Sequence, residues 1–162
     1  MSLNTAVMFS KASDEWETPQ DFYQALDREF SFGLDVAASA ENAKTPRWLQ
    51  DALSVSWAEL AWGHPIWLNP PYSRCREFIK KAALEASRGC TVVCLVPSRT
   101  DTHWWHSEVY DAEKHVFRPG VEVRFVKGRL KFGNSQNSAP FPSVVIIFRP
   151  PSPASGGAGG GH

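Results

Sequence analysis

The chain is poor in cysteine: Cys75, Cys90 and Cys94 are its three thiols, an odd number, and none stands at zinc-ligand spacing. A disulfide framework and a structural zinc site are therefore not expected, whereas free thiols in a reducing compartment are. No apolar run approaches the ~20 residues needed to cross a bilayer. Met1 to Ser10 lacks the basic-then-apolar pattern of a signal peptide, so the expected location is cytoplasmic. Net charge is absent as well, since 17 Lys and Arg balance 17 Asp and Glu. The overall basic excess common among nucleic-acid binders is thus missing. The charge is nevertheless uneven. Arg118, Arg124, Lys127, Arg129 and Lys131 stand against Glu122 alone within residues 118–131. Asp14, Glu15, Glu17, Asp21, Asp27 and Glu29 stand against Arg28 alone within residues 14–29. An enzyme that docks a polyanion on one side can carry such an asymmetry.

What is present fits one folded domain, because 162 residues with 43% hydrophobic content can bury a single core. Residues 1–12 are expected to form a flexible arm, 13–149 the domain, and 150–162 a disordered Pro/Ser/Gly-rich tail. Thr18 followed by Pro19 reads as a helix start, with a hydroxyl N-cap and proline at the first helical position. Phe22, Leu26 and Phe30 then give one apolar stripe. Phe32 to Val36 reads as a strand. Residues 40–62 have no clear assignment, and Trp48, Trp57 and Trp62 are expected to anchor their packing. Pro65 to Leu68 reads as a buried strand. Ser73 is placed to cap the following helix, whose inner face is Phe78, Ile79, Ala82, Ala83 and Ala86, and Gly89 ends it. The apolar run Thr91 to Val96 has the pattern of a central parallel strand. Thr102 to Tyr110 reads as helical. Val121 to Val126 and Ser143 to Phe148 read as strands, antiparallel to each other. Helix and strand alternate, which predicts an α/β sheet with helices on its faces, mostly parallel with an antiparallel C-terminal hairpin.

The tetrapeptide Asn69-Pro70-Pro71-Tyr72 follows the Pro65 to Leu68 strand, at the strand end where open α/β sheets bind ligands. Its chemistry suits an exocyclic amine on a flat base. The Asn69 side-chain oxygen and the Pro70 carbonyl can each accept one amine hydrogen. Proline stiffens the turn and brings no competing N–H. Tyr72 offers a stacking face, worth about 1–3 kcal/mol per base. Asparagine does not accept a proton at neutral pH, so the work is polarisation and positioning, not general-base deprotonation. Two further loops should meet the same edge: Asp35-Val36-Ala37-Ala38-Ser39 and Pro97-Ser98-Arg99-Thr100-Asp101.

The chain resembles the small phage-type N6-adenine DNA methyltransferases. The resemblance runs from about residue 13 to 148. It is carried by Asp14-Glu15-Trp16 with Thr18-Pro19, Leu34-Asp35 with Ala37-Ala38-Ser39, Trp67 to Ser73, Leu95-Val96-Pro97 with Arg99 to Thr102, Gly128 to Gly133, and Ser138 to Ser143. It implies a compact class I methyltransferase (Rossmann-like) fold. It also implies S-adenosylmethionine as cofactor, held by Trp16, Thr18, Pro19, Asp35, Ala37 and Ser39, with Asp51 a candidate for the cofactor adenine. DNA is the implied partner. The glycine-rich cofactor turn usual in class I enzymes is absent, and Ala37, Ala38 and Ser39 stand in its place. Residues 35–69 are short for two full strand-helix units.

Arg74, Arg99, Arg129 and Lys131 are the candidate DNA-binding residues. Arg129 and Lys131 alternate on an arm bounded by Gly128 and Gly133, which puts both on one face; a solvated charged strand has the same pattern. His103 and His106 stand three apart with no third ligand at metal spacing, so no metal is expected. Two other functions fit the same tetrapeptide. One is methylation of a protein glutamine amide, whose enzymes normally keep the glycine turn and an extra N-terminal domain. The other is a binding module that has lost activity.

Overall fold

A computed structural model describes residues 17–39, 41–133 and 138–151. Residues 1–16, which include the arm expected at 1–12 and Asp14 to Trp16, and the residues beyond Pro151 lie outside the described residues. Helix α1 spans Gln20–Phe30 and buries Tyr23 and Leu26. Phe22 and Phe30, expected on that stripe, are only partly buried beside it. The expected Thr18 cap is not made. Pro19 occupies the cap position, and no side-chain bond closes the helix start. The far end closes locally: Ser31, at φ 56°, donates its N–H to the Asp27 carbonyl at 2.8 Å.

The chain continues through β1 (Leu34–Asp35), helix α2 (Trp57–Leu60), β2 (Ile66–Leu68), a 3₁₀ turn (Tyr72–Arg74) and helix α3 (Cys75–Ser87). Then come β3 (Val92–Pro97), a π-helical turn (Trp105–Val109), β4 (Tyr110–Asp111), β5 (Val116–Phe117), β6 (Val121–Phe125) and β7 (Ser143–Phe148). The five-stranded sheet has the order β1-β2-β3-β7-β6. β1, β2 and β3 are parallel neighbours. β7 runs antiparallel to both β3 and β6, so it alone is reversed and β6 shares the direction of the first three. The fold is therefore α/β and mostly parallel, as the alternation of elements predicts. β4 and β5 form a separate small hairpin.

Side-chain alternation divides the core. Val92, Cys94 and Val96 of β3 pack with Ile79 and Ala82 of α3 on one face. Val93 and Leu95 pack with Tyr23 and Leu26 of α1 and with Phe132 on the other. A sheet covered on both faces explains why β3 and β7 read as continuous apolar runs.

The unassigned stretch before β2 is held by backbone and by one tryptophan. Residues 47–49 run beside β1: Asp35 donates to the Arg47 carbonyl at 3.1 Å, and Leu49 donates to the Asp35 carbonyl at 2.8 Å. Trp57 is fully buried, and its indole N–H donates to the Ala52 carbonyl at 2.9 Å. Trp48 is only half-buried. Trp62 is not an anchor: it is 71% exposed at φ 53°, and the Arg47 guanidinium lies 3.5 Å from its ring centroid. A cation over the ring face offsets part of the cost of leaving it in water. Ser73 does not cap α3 either. Its place is taken by the 3₁₀ turn, and Arg74 precedes the helix without a side-chain cap. Gly89, at φ 116°, does end α3.

The inner face of α3 carries one charged residue the apolar pattern does not announce. Glu85 is fully buried. Its carboxylate accepts the Ala58 N–H at 3.0 Å, pairs with Lys81 Nζ at 2.8 Å, and so ties α3 to the start of α2. Burial alone would raise its pKa. The bonds from Lys81 and from the Ala58 and Trp57 N–H groups outweigh that and hold it below the usual glutamate range. Glu85→Ala leaves those donors buried without an acceptor and should cost about 2–4 kcal/mol of stability. Glu85→Gln should cost less. Because the folded carboxyl is depressed, this contribution is present at neutral pH and fades as pH falls below the ordinary glutamate range. Urea unfolding of both variants at pH 7 and in acid checks it; a Glu85→Ala midpoint equal to wild type at pH 7 would show the cluster is energetically idle.

Candidate active site

Because β1, β2 and β3 are parallel, their carboxyl ends open on one edge of the sheet. From β1 the chain enters Val36-Ala37-Ala38-Ser39. Asp35, 3% exposed, holds this loop in shape: its carboxylate accepts the Ala37 N–H at 3.2 Å and the Lys44 N–H at 3.0 Å. Burial pushes its pKa up to about 6, against the opposing pull of those two bonds and of the Lys44 charge. Ala38 donates to the Leu49 carbonyl at 3.0 Å, which brings residues 49–52 alongside.

From β2 the chain enters Asn69-Pro70-Pro71-Tyr72. The Asn69 amide nitrogen donates to Thr18 Oγ1 at 2.9 Å. Pro70 is buried. Pro71, at φ −58°, leads into the 3₁₀ turn, and its carbonyl accepts the Arg74 N–H at 2.9 Å. The Tyr72 ring meets Phe141 edge-on at 5.4 Å and Phe132 at 6.5 Å, and burial pushes its phenol well above the ordinary range.

A cavity of about 460 Å³ opens where these loops meet. Of the residues singled out from sequence, Thr18, Asp35, Ala37, Ser39, Asp51, Asn69, Pro71 and Arg74 line it. Pro19, Pro70, Tyr72, Arg99, Arg129 and Lys131 do not, and Trp16 lies outside the described residues. The Pro97 to Asp101 loop shares the sheet edge without reaching the cavity, and Arg99 is exposed there. Lining residues that sequence reasoning missed include Glu17, Glu41, Asn42, Lys44, Gln50, Trp67 and Phe78. Four carboxylates (Glu17, Asp35, Glu41, Asp51) face two cations (Lys44, Arg74), and Arg74 is itself held by Glu77 at 2.9 Å. The cavity is therefore acidic.

The loop between β6 and β7 is tied to Glu17, one of the residues that line the cavity. Gly133 donates to the Glu17 carbonyl at 2.9 Å, and Ala139 to the Leu130 carbonyl at 2.8 Å. Phe132 is buried while Arg129 and Lys131 are exposed, as their alternation predicts, although the segment is irregular loop and not strand. Residues 134–137 lie outside the described residues. The basic run is less open than its local charge implies. Arg124 is bound by Glu29 at 2.6 Å and by Glu122 at 2.6 Å, and Arg118 donates to the His106 carbonyl. Among the described residues, Lys127, Arg129 and Lys131 remain exposed with no carboxylate partner. His106 Nε2 lies 2.8 Å from the Thr100 carbonyl and His103 is exposed; among the described residues no group of three metal-ligating side chains gathers.

A family model described as DNA N-6-adenine-methyltransferase (Dam) matches residues 6–155. A protein named DNA N-6-adenine-methyltransferase from Haemophilus phage HP1 (strain HP1c1) is 27% identical over 152 residues, 89% of this chain and 84% of that protein. A protein of the same name from Escherichia phage T1 is 32% identical over 95 residues, 57% of this chain but only 39% of that protein. With a match across nearly its whole length, the chain belongs to the DNA N-6-adenine-methyltransferase (Dam) family, a family of adenine-specific DNA methyltransferases.

Proposed function

We propose that the chain transfers a methyl group from S-adenosylmethionine to the N6 amine of an adenine in DNA, on a class I methyltransferase sheet, acting in the cytoplasm of a bacterial host. The observation that carries this reading is that Asn69 and Pro71 share one cavity with the Asp35 to Ser39 loop and Asp51. A methyl donor and an amine acceptor bound at these two groups would meet. Family membership favours DNA adenine over a protein glutamine amide as acceptor.

The donor set fits the cofactor. S-adenosylmethionine supplies an electrophilic methyl group and carries ammonium and sulfonium charges. The acidic lining, with Asp35 buried and already orienting two backbone N–H groups, complements a cation. Ala37, Ala38 and Ser39 are small enough to let the backbone approach a ligand without a glycine turn. Glu41 or Asp51 would hold the ribose or adenine end.

Asn69 Oδ1 and the Pro70 carbonyl would take the two amine hydrogens and draw the nitrogen lone pair out of the ring. Burial of Pro70 and the stiff φ of both prolines fix that pair of acceptors. Tyr72, steadied by Phe132 and Phe141, would stack on a base turned out of the duplex, which offsets the few kcal/mol of unstacking. Arg129 and Lys131 lie exposed on the loop that carries Phe132, and Arg99 at the same sheet edge; we assign all three to DNA phosphates. Arg74 would join them, since an exposed pair such as Arg74–Glu77 is worth only about 0–1 kcal/mol and yields to a phosphate.

Asn69→Ala should keep S-adenosylmethionine binding and lose about 10²- to 10³-fold in turnover, with Asn69→Asp intermediate. Single-turnover methylation of DNA and calorimetric titration of the cofactor measure the two effects. Turnover within a few-fold of wild type would remove Asn69 from the chemistry, and a wild-type protein that binds both ligands without turnover would leave a binding module.

Asp35 makes cofactor affinity depend on pH. Its carboxyl titrates at about 6 in the free protein, and a bound cation favours the ionised form. Below that pH binding must first remove a proton, so affinity should weaken toward tenfold per pH unit as the solution is acidified, and stay level above it. Asp35→Asn should bind weakly at every pH. A flat wild-type profile from pH 5 to 8 would separate Asp35 from the ligand.

Arg129→Ala and Lys131→Ala should each weaken binding to all DNA sequences alike and flatten the salt dependence by roughly one unit of log K per log salt. Affinities across a salt series test this. An unchanged slope would make the segment a solvated loop, and a loss restricted to one sequence would make these residues base readers.

A further inference from the structure

The hydroxyl that the sequence assigns to a helix cap, and the resemblance assigns to the cofactor, is spent elsewhere. Thr18 is 3% exposed, lies just before α1, and makes no capping bond to that helix. Its Oγ1 accepts a hydrogen from Asn69 Nδ2 at 2.9 Å, across 51 residues of sequence. We propose that Thr18 is a positioning residue for the Asn69 amide, holding Nδ2 toward itself so that Oδ1 is presented on the opposite side, where the adenine amine must be accepted.

The physical need for such a partner is specific to asparagine. The two ends of a primary amide are nearly the same size, so packing scarcely distinguishes them, and hydrogen bonds decide which end faces where. Rotation by half a turn about the last side-chain bond would point two N–H donors at a substrate amine that is itself a donor. That orientation repels the acceptor nitrogen and cannot draw out its lone pair. The contact in the structure, with Oγ1 accepting from Nδ2, is the one that leaves Oδ1 for the substrate amine, whereas a hydroxyl donating to Oδ1 would turn Nδ2 toward it.

The anchor point is itself well held. Thr18 sits between the Glu17 carbonyl, which accepts the Gly133 N–H at 2.9 Å, and Pro19, whose carbonyl accepts the Tyr23 N–H at 3.0 Å as α1 begins. The segment is thus fixed from the loop that carries Phe132 on one side and from α1 on the other. Thr18 and Asn69 both line the cavity, so the contact lies at the junction of the proposed donor and acceptor sites.

The inference rests on the assignment of Asn69 to the adenine amine, and the experiment separates the two. Turnover at saturating cofactor and DNA, and cofactor affinity by calorimetry, are measured for Thr18→Val, Thr18→Ser, Asn69→Ala and the double variant Thr18→Val/Asn69→Ala. Thr18→Val should lower kcat about tenfold or more, the worth of one lost hydrogen bond in a reacting geometry, while S-adenosylmethionine affinity changes less than threefold. Thr18→Ser should restore most of the rate. In the Asn69→Ala background Thr18→Val should have no further effect on kcat, because the group it positions is gone. Thr18→Ala replaces Thr18→Val should valine prevent folding, as judged by a thermal melt. A Thr18→Val enzyme with wild-type kcat but weakened cofactor binding would make Thr18 a cofactor contact and overturn the inference, as would kcat losses that simply multiply in the double variant. If Asn69→Ala retains turnover, the assignment of Asn69 fails and this inference with it; if Asn69→Ala is inactive and Thr18→Val is not impaired, only the inference fails.

Discussion

Strand β2 is only three residues long, Ile66–Leu68, yet the whole site is referred to it. It is paired on both sides, with β1 through Leu34 and Asp35 and with β3 from Val92 to Cys94, and all three of its side chains are buried. A segment clamped in this way has no freedom to slide, because a one-residue slip would turn Trp67 into the other core and Ile66 and Leu68 out of theirs. Asn69 is the first residue released from that clamp. Its distance from Asp35, at the end of the adjacent strand, is therefore set by the pairing of β1 with β2 and not by the chain that connects them. The same clamp explains why so short an element suffices: its neighbours supply the rigidity that its own length does not.

The parts of the structure legible in the sequence are those fixed by local pattern. Continuous apolar runs at residues 91–96 and 143–148 announce buried strands, and both appear within a residue of their expected ends. The Asn69 to Tyr72 turn announces itself through two adjacent prolines after such a run. What stays hidden depends on partners distant in sequence. Glu85 reads as one more solvated charge on a helix, and only the arrival of α2 makes it an interior acceptor. Thr18 has the local pattern of a cap, but Asn69 competes for the same oxygen and wins. Trp62 reads as core because hydrophobicity carries no address; a left-handed turn and a guanidinium over the ring keep it outside. Lys44 reaches the cavity because its backbone N–H closes on Asp35, a bond no spacing rule forecasts.

Charge behaves in the same way. Along the chain, residues 118–131 are basic and 14–29 acidic, which suggests two separate faces. In space the two segments partly neutralise each other, since Glu29 of α1 binds Arg124 of β6, and Glu122 binds both Arg124 and Arg149. Within the basic run, the cations that remain exposed are Lys127, Arg129 and Lys131, on the loop after β6. The chain keeps an acidic cavity and a basic loop a short distance apart while its formal total is zero. That separation suits a cationic small ligand and a polyanion better than a uniform excess of either sign would.

The placement of β7 has a consequence for how the molecule comes into being. It is the last strand in sequence among the described residues, yet it lies between β3 and β6, antiparallel to each. A chain emerging from the ribosome has β1, β2 and β3 available to pair early, while β6 waits with no neighbour on either side. The middle of the sheet is filled last, by residues 143–148, through contacts some fifty positions apart for β3 and about twenty for β6. Contacts of that span slow folding, and until they form one edge of the apolar strand β3 and both edges of β6 stand open to other nascent chains. Vectorial synthesis thus leaves this protein exposed to misassembly until the moment β7 is delivered.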